Sequence, residues 1–279
     1  MSLVNSAFGR LLALMQRGKV LEDWKFLEDK FIISLDASGF FSSTHIHCGS
    51  CCEKVVNKGT DKESVTYHHQ MLVGAVVSPD IKQVLPIGFE PIVKADGAQK
   101  NDCERTAAKR WLTAFRKVHP QLPTLIVADG LYANGPFLQE LKDKRCSYII
   151  NAKEADHKAL YEYFWAGEGA DIGTFEETLQ DKRHSYRFMN DVPLNDTHHD
   201  LKVNVLYFEE EKTVKKKQHM TRWLWITDLK ITRENAKSIM KGGRCRWKIE
   251  NETFNTLKSQ GYHFEHNYGH GRKGSTNTS

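Results

Sequence analysis

The sequence predicts an α/β fold: a mixed sheet flanked by helices, with a β-rich insertion ahead of the last helix. Three observations lead there. Two short apolar runs, FIISLD at 31–36 and TLIVADG at 124–130, each end in a carboxylate. Apolar spacing before residue 153 alternates between the two-residue period of strands and the 3.6-residue period of helices. Residues 153–231 then break into short alternating segments, after which the helical period returns.

Taken in order, MSLVNSAFGRLLALMQRG reads as a short amphipathic helix, without the basic lead-in or cleavage site of a signal peptide. FIISLD is the first strand, and a polar stretch containing Cys and His follows it. YHHQMLVGAVV is the second strand and KQVLPIGFEPI the third, joined by a turn at Ser78-Pro79-Asp80. Such short connections imply an antiparallel meander. From Asn101 to His119 the pattern is helical, capped by Asn101 or Asp102, with Ala107, Ala108, Trp111, Leu112, Phe115 and Val118 on the apolar face. TLIVADG is a buried strand ending at Asp129. A short helix opened by Asn134-Gly135-Pro136 and the strand CSYIINAK come next.

HSYRFMN, LKVNVLYFEE and MTRWLWITDL are the strands of the insertion. Thr232 is placed to cap a helix that ends at Gly242-Gly243, and RCRWKIENETFNTLKSQ is the last helix. The expected division is a helical segment at 1–30, the first part of the core at 31–152, the β-rich insertion at 153–231, the closing helices at 232–262 and a flexible tail at 263–279. Three antiparallel strands, a helix and a fourth strand suit a ribonuclease H-like mixed sheet.

Composition narrows the function classes. The chain has 279 residues, 40% hydrophobic and 27% charged, so it can bury a substantial core and is no disordered tail. No run approaches the ~20 apolar residues needed to cross a bilayer. Six cysteines without a secretory signal point to reduced thiols in the cytoplasm. The net charge of +5 is uneven: residues 210–273 hold 15 Lys+Arg against 7 Asp+Glu, a balance of +8, leaving −3 for the rest. That asymmetry points toward an anionic polymer.

The carboxylates carry the chemistry. A buried strand tolerates an Asp only with a partner or a cation. If the strands of Asp36 and Asp129 are neighbours, both side chains emerge together, and a glutamate from the last helix would complete an oxygen-only site suited to Mg²⁺ or Mn²⁺. At ~100° per residue, Trp247, Glu250, Phe254 and Leu257 share one side of that helix, whereas Glu252 lies roughly 200° round from Glu250. Glu250 is therefore the expected third ligand. Arg246, four residues earlier, can pair with it or reach a phosphate.

LDASGFFSS, IVADGLYANGPF and RWKIENETFNTLKSQGYHFEHNYGHG together resemble bacterial insertion-sequence transposases of the DDE type, from about residue 20 to 271. RW-x-IE-x-x-x-F-x-x-LK is the most specific part. The resemblance implies a ribonuclease H-like catalytic core interrupted by a β-rich insertion, with Asp36, Asp129 and Glu250 as the catalytic, metal-binding triad. Two Mg²⁺ (or Mn²⁺) ions would serve cleavage at transposon ends and strand transfer into double-stranded target DNA by a homodimer in the nucleoid-containing cytoplasm. Arg246 matches the Arg of the family's Y-x2-R-x3-E-x6-K signature. The Tyr position is Gly243, and the Lys position is Leu257, with Lys258 one residue late. Family members carry a longer amino-terminal DNA-binding region, so a truncated chain is expected. That leaves two rival readings, a catalytically impaired DNA-binding remnant and a standalone ribonuclease H-like nuclease.

Weaker signals remain. His47, Cys48 and Cys51 offer three zinc ligands through a C-x2-C spacing, but Cys103, Cys146 and Cys245 stand alone. Ordinary loop thiols are the favoured reading, with zinc or a redox dithiol as alternatives. One of His68 and His69 should face inward by alternation, which favours a place in the core or a supporting position behind metal ligands over ligation. Glu90 reads as a surface or hydrogen-bonded residue that could sit close to the metals. Lys215, Lys216 and Lys217, with Lys212 and Arg222, form a solvated hairpin tip or a phosphate contact. Trp223 and Trp225 read as strand packing.

Overall fold

The computed structural model describes residues 3–94, 102–167, 171–180, 182–195, 200–214 and 217–266. The first helix, α1 (Leu3–Arg17), leads through a 3₁₀ turn into β1 (Lys25–Phe26) and β2 (Lys30–Ser43). β2 runs seven residues past Asp36, so this carboxylate lies within the strand instead of ending it. The polar stretch after β2 contains β3 (Cys52–Val56), a strand that periodicity alone does not disclose. β4 (Ser64–Val77) and β5 (Leu85–Ile92) follow, then α2 (Glu104–Val118), β6 (Thr124–Ala128), α3 (Gly135–Asp143) and β7 (Ser147–Asn151).

Residues 153–231 contain a helix, α4 (Lys158–Ala166), as well as β8 (Ile172–Leu179), β9 (Lys182–Pro193), β10 (Lys202–Val214) and β11 (Lys217–Thr227). Helix α5 (Ala236–Arg244) begins four residues after Thr232. Asn235 stands at its N-cap, and the Thr232 N–H donates to Asn235 Oδ1 at 2.8 Å. Asp102 does not cap α2 as expected; it accepts from the Cys103 N–H at 2.8 Å and pairs with Arg110. Asn101, the other expected cap, lies outside the described residues.

Among the described residues the strands form one sheet in the order β3-β4-β2-β6-β7-β11-β10-β9-β8, with β1 on β2 and β5 on β4. β4 is long enough to pair with β3 along 64–68 and with β5 along 70–76 on the edge opposite β2. The segment β5-β4-β2-β6-β7 is antiparallel up to β2 and parallel beyond it, which is the ribonuclease H-like arrangement. β7 meets β11 antiparallel, so the strands of 172–227 extend this same sheet.

Apolar residues on both faces of the central strands explain the flanking helices. Ile33, Leu35, Ile126 and Ala128 pack with α1, α2 and α3, while Ile32, Leu125, Val127 and Ile149 pack with Ala236, Ile239 and Met240 of α5. Val118, expected on the buried face of α2, is exposed at that helix's last turn.

One close approach in this core requires glycine. A Cβ at Gly74 of β4 would come within 2.1 Å of the ring of Trp111, a buried residue of α2 itself. Gly74→Ala should therefore cost about 1–3 kcal/mol in urea unfolding. Trp111→Leu in the same chain should recover part of that loss; a fully additive double mutant would contradict the packing conflict.

Candidate active site beside two parallel strands

Parallel pairing of β2 with β6 sets Phe31 opposite Thr124 and Ser34 opposite Val127. Two residues beyond that pair are Asp36, within β2, and Asp129, the extended residue just past the end of β6, on the same face as Ile32, Ser34, Leu125 and Val127 by the period of two. That face is covered by α5 and the helical segment after it. Asp129 also accepts the Leu131 N–H at 2.9 Å, so it doubles as the cap of the 3₁₀ turn Gly130–Tyr132.

The expected last helix is not a single α-helix. It runs as a 3₁₀ turn (Cys245–Trp247), a π-helix (Ile249–Phe254) and α6 (Asn255–Ser259). A phase of ~100° per residue fails across such a change of winding. Its buried side is Cys245, Ile249, Thr253 and Phe254, with Ile249 and Phe254 packed on Val73 and Ala75 of β4. Trp247, expected to face the sheet, is instead 45% exposed. Glu250 lies at the border of the buried side, its side chain 46% exposed.

Arg246 joins this helical segment to the sheet. Its guanidinium donates to Glu250 Oε1 at 2.7 Å and lies 3.6 Å from Asp36 Oδ2, and its carbonyl accepts from Ser34 Oγ at 3.1 Å. Burial pushes the Asp36 carboxyl up to about 7; Arg246 opposes that rise, while Glu250, within hydrogen-bond reach, and Glu104 add to it. Asp36, Asp129 and Glu250 do not converge to within 4.8 Å. Among the described residues only Cys48, Cys51 and His69 do.

Glu104, the first residue of α2, was not singled out in the sequence. Its carboxylate accepts from the Tyr132 hydroxyl at 2.7 Å, and burial raises it, with Asp129 adding to the rise. Helix-start glutamates are commonplace, so nothing local marked it. Lys248 was missed for the same reason: it is one more cation in a basic segment. Its ammonium donates to the carbonyls of Ser78 at 2.5 Å, Pro79 at 3.0 Å and Ile81 at 2.7 Å, pinning the turn after β4 beneath the π-helix.

Beside Asp129 opens a cleft of about 320 Å³ lined by Lys153, Trp223, Arg244, Arg246 and Trp247. Arg244 sits 4.8 Å over the Trp223 ring. Gly243, where the resemblance places a tyrosine, has no room for one. A Cβ there would meet Trp225 Nε1 at 2.6 Å, so the indole of β11 fills that space.

Residues 44–278 match the transposase DDE domain family. The chain belongs to that family. Asp129 and Glu250 fall within the matched span and Asp36 precedes it. No curated protein matches the chain. Among solved structures it is similar to the NurA nuclease from Sulfolobus solfataricus, 8% identical over 93% of this chain and 91% of that one with a TM-score of 0.36. That similarity is too distant to inform the chemistry. Membership in a DDE transposase family implies DNA as substrate and divalent metal as cofactor.

Other expected residues of the transposase reading are placed as follows. Lys258 pairs with Glu265 at 3.0 Å. Lys217 opens β11, while Lys215 and Lys216 lie outside the described residues. Glu90 bonds Arg110 at 2.6 Å, as a hydrogen-bonded surface Glu should. His47 is not beside the two thiols: its ring stacks on Tyr67 at 4.2 Å, and His69 of β4 takes the place expected for it.

Two measurements probe this arrangement. Lys248→Met leaves three carbonyls without their donor and should cost about 2–3 kcal/mol in urea unfolding. The second concerns pH. Asp36 is raised, so between pH 4 and 7 the folded chain binds a proton the unfolded chain has released, and this contribution to stability is lost as pH rises through 7. In metal-free buffer Asp36→Asn should be the more stable protein at pH 8, by on the order of 2 kcal/mol, and the gain should vanish at pH 4.

Proposed function

We propose that this chain is a metal-dependent DNA transposase that cleaves at transposon ends and joins the freed end to target DNA, with Asp36, Asp129 and Glu250 as its catalytic carboxylates. The observation that carries this reading is the approach of Glu250 to Asp36 on the sheet face that the β2–β6 register shares with Asp129, in a chain of the transposase family.

The donor set fits a hard divalent cation. Every candidate ligand atom is a carboxylate oxygen, and a bound cation would offset the burial that raises Asp36 and the nearby charge of Glu250 that adds to it. Asp36, Asp129 and Glu250 would hold Mg²⁺ or Mn²⁺, which when bound activates the attacking oxygen and stabilises the leaving one. Arg246 neutralises Asp36 and Glu250 when it lies between them. With a cation in that role, its guanidinium is free to take a DNA phosphate by charge-assisted hydrogen bonds. Glu104, bonded to Tyr132, adds negative charge within electrostatic reach of Asp129 and so favours a cation there.

The cleft beside Asp129 supplies the complement to duplex DNA. Lys153 and Arg244 offer charge to the backbone, and half-exposed Trp247 offers a ring face. The reaction is proposed to run in a homodimer assembled on DNA, in the nucleoid. No helix among the described residues is long and apolar enough to cross a membrane.

A strand-transfer assay with duplex DNA taken from the sequences on either side of the gene tests the reading. Joined products that require Mg²⁺ or Mn²⁺ are expected. Asp36→Ala, Asp129→Ala and Glu250→Ala should each lower joining by at least about 10²-fold while DNA retention in gel shift changes little. Metal-dependent cleavage without joining would replace the reading with a nuclease, and retained joining in Asp36→Ala would overturn the assignment.

A further inference from the structure

We propose that Cys48, Cys51 and His69 form a zinc site separate from the carboxylates. The two cysteines occupy the turn between β2 and β3, and His69 projects from β4 opposite Phe41 of β2. The sulfurs are 3.8 Å apart, and His69 Nε2 lies 3.6 Å from Cys48 Sγ and 3.3 Å from Cys51 Sγ. A tetrahedral zinc with bonds of about 2.3 Å to sulfur and about 2.0–2.1 Å to nitrogen has edges of about 3.8 Å between sulfurs and about 3.5 Å from sulfur to nitrogen. The trio thus has the dimensions of one face of that tetrahedron.

The surroundings are those of a ligand set. Neither cysteine is joined in a disulfide. The turn is closed by the Cys51 N–H donating to the Cys48 carbonyl at 3.1 Å, and the Cys48 N–H donates to Cys51 Sγ at 3.3 Å. Amide donors of this kind stabilise a thiolate. Cys51 and His69 are 1% and 3% exposed, and the His69 ring is stacked 5.7 Å from Phe40. Aromatic packing therefore sets the ring orientation that aims Nε2 at the sulfurs. Two thiolates and an imidazole favour Zn²⁺ over Mg²⁺, whereas the carboxylates have the reverse preference.

The consequence is mechanical. Zinc would clamp the 44–52 turn onto β4 and hold the far half of β2, five residues and roughly 17 Å beyond Asp36. It takes no part in phosphodiester chemistry, so its test is independent of transposase activity.

Full-length chain purified under reducing conditions should retain about one zinc per chain by elemental analysis. Replacing it with Co²⁺ should give the intense visible bands of a tetrahedral site and a thiolate charge-transfer band. Cys48→Ser and His69→Ala should each lose retained zinc, and His47→Ala should keep it. Should His69→Ala fail to fold, the Co²⁺ spectra of wild type and of half-buried Cys48→Ser decide the matter. Zinc-free wild type with no thiolate band, a Cys48–Cys51 disulfide in its place, or zinc lost from His47→Ala but kept by His69→Ala would overturn the proposal.

Discussion

The parallel pairing of β2 with β6 is the constraint on which the candidate site depends. It brings together two segments separated by more than ninety residues and aligns Ser34 with Val127, so the next same-face residue on each is an aspartate. A slip of one residue would turn one of the two to the opposite face, among the packing of α1 to α3. Ile32 and Ile33, like Leu125 and Ile126, have separate cores to fill.

Everything that completes the site is tied to that pair. Ser34 bonds the Arg246 carbonyl, Ile249 and Phe254 pack on β4, and Lys248 holds the turn between β4 and β5. Burying Ile249 and Phe254 contributes about 1.5–3 kcal/mol each, which anchors a segment whose winding changes twice. The π-helix between those anchors positions Glu250 at the border of the buried face. There it reaches Arg246 and Asp36 while remaining half exposed. A regular α-helix with the same apolar contacts would aim this residue differently. The change of winding is thus part of the site's geometry and not an irregularity beside it.

Charge in this region is balanced locally. Glu250 and Glu104 act electrostatically on Asp36, and Asp129 acts on Glu104, while among the described residues Arg246 is the cation that touches Asp36 and Glu250. An ion pair so placed favours the charged carboxylates but leaves Asp36 raised, because burial outweighs it. The cysteine and histidine trio has a different character. Its donors are soft and its members largely buried, and it lies on the far part of the long β2–β4 ladder. Two donor sets of opposite preference can share one sheet because the strands are long enough to separate them.

The sequence by itself determined a good deal. Apolar period placed β2, β4, β5, α2, β6, α3 and β7 in order, and that order alone implied the mixed ribonuclease H-like sheet. It also marked Asp36 and Asp129 as carboxylates in need of a reason, because apolar runs do not carry charge idly. The reading stopped where function depends on partners distant along the chain. Periodicity assumes one winding, so it placed Glu250 on a regular helical stripe that the π-helix replaces. Proximity in sequence favoured His47 as the companion of Cys48 and Cys51, but strand pairing brings His69 across from Phe41 to the sulfurs. Glu104 and Lys248 carried no local signal; each acquires its role only when α2 and the closing helical segment dock on the sheet. Local pattern records which faces must be buried, whereas only the packed chain decides which side chains meet.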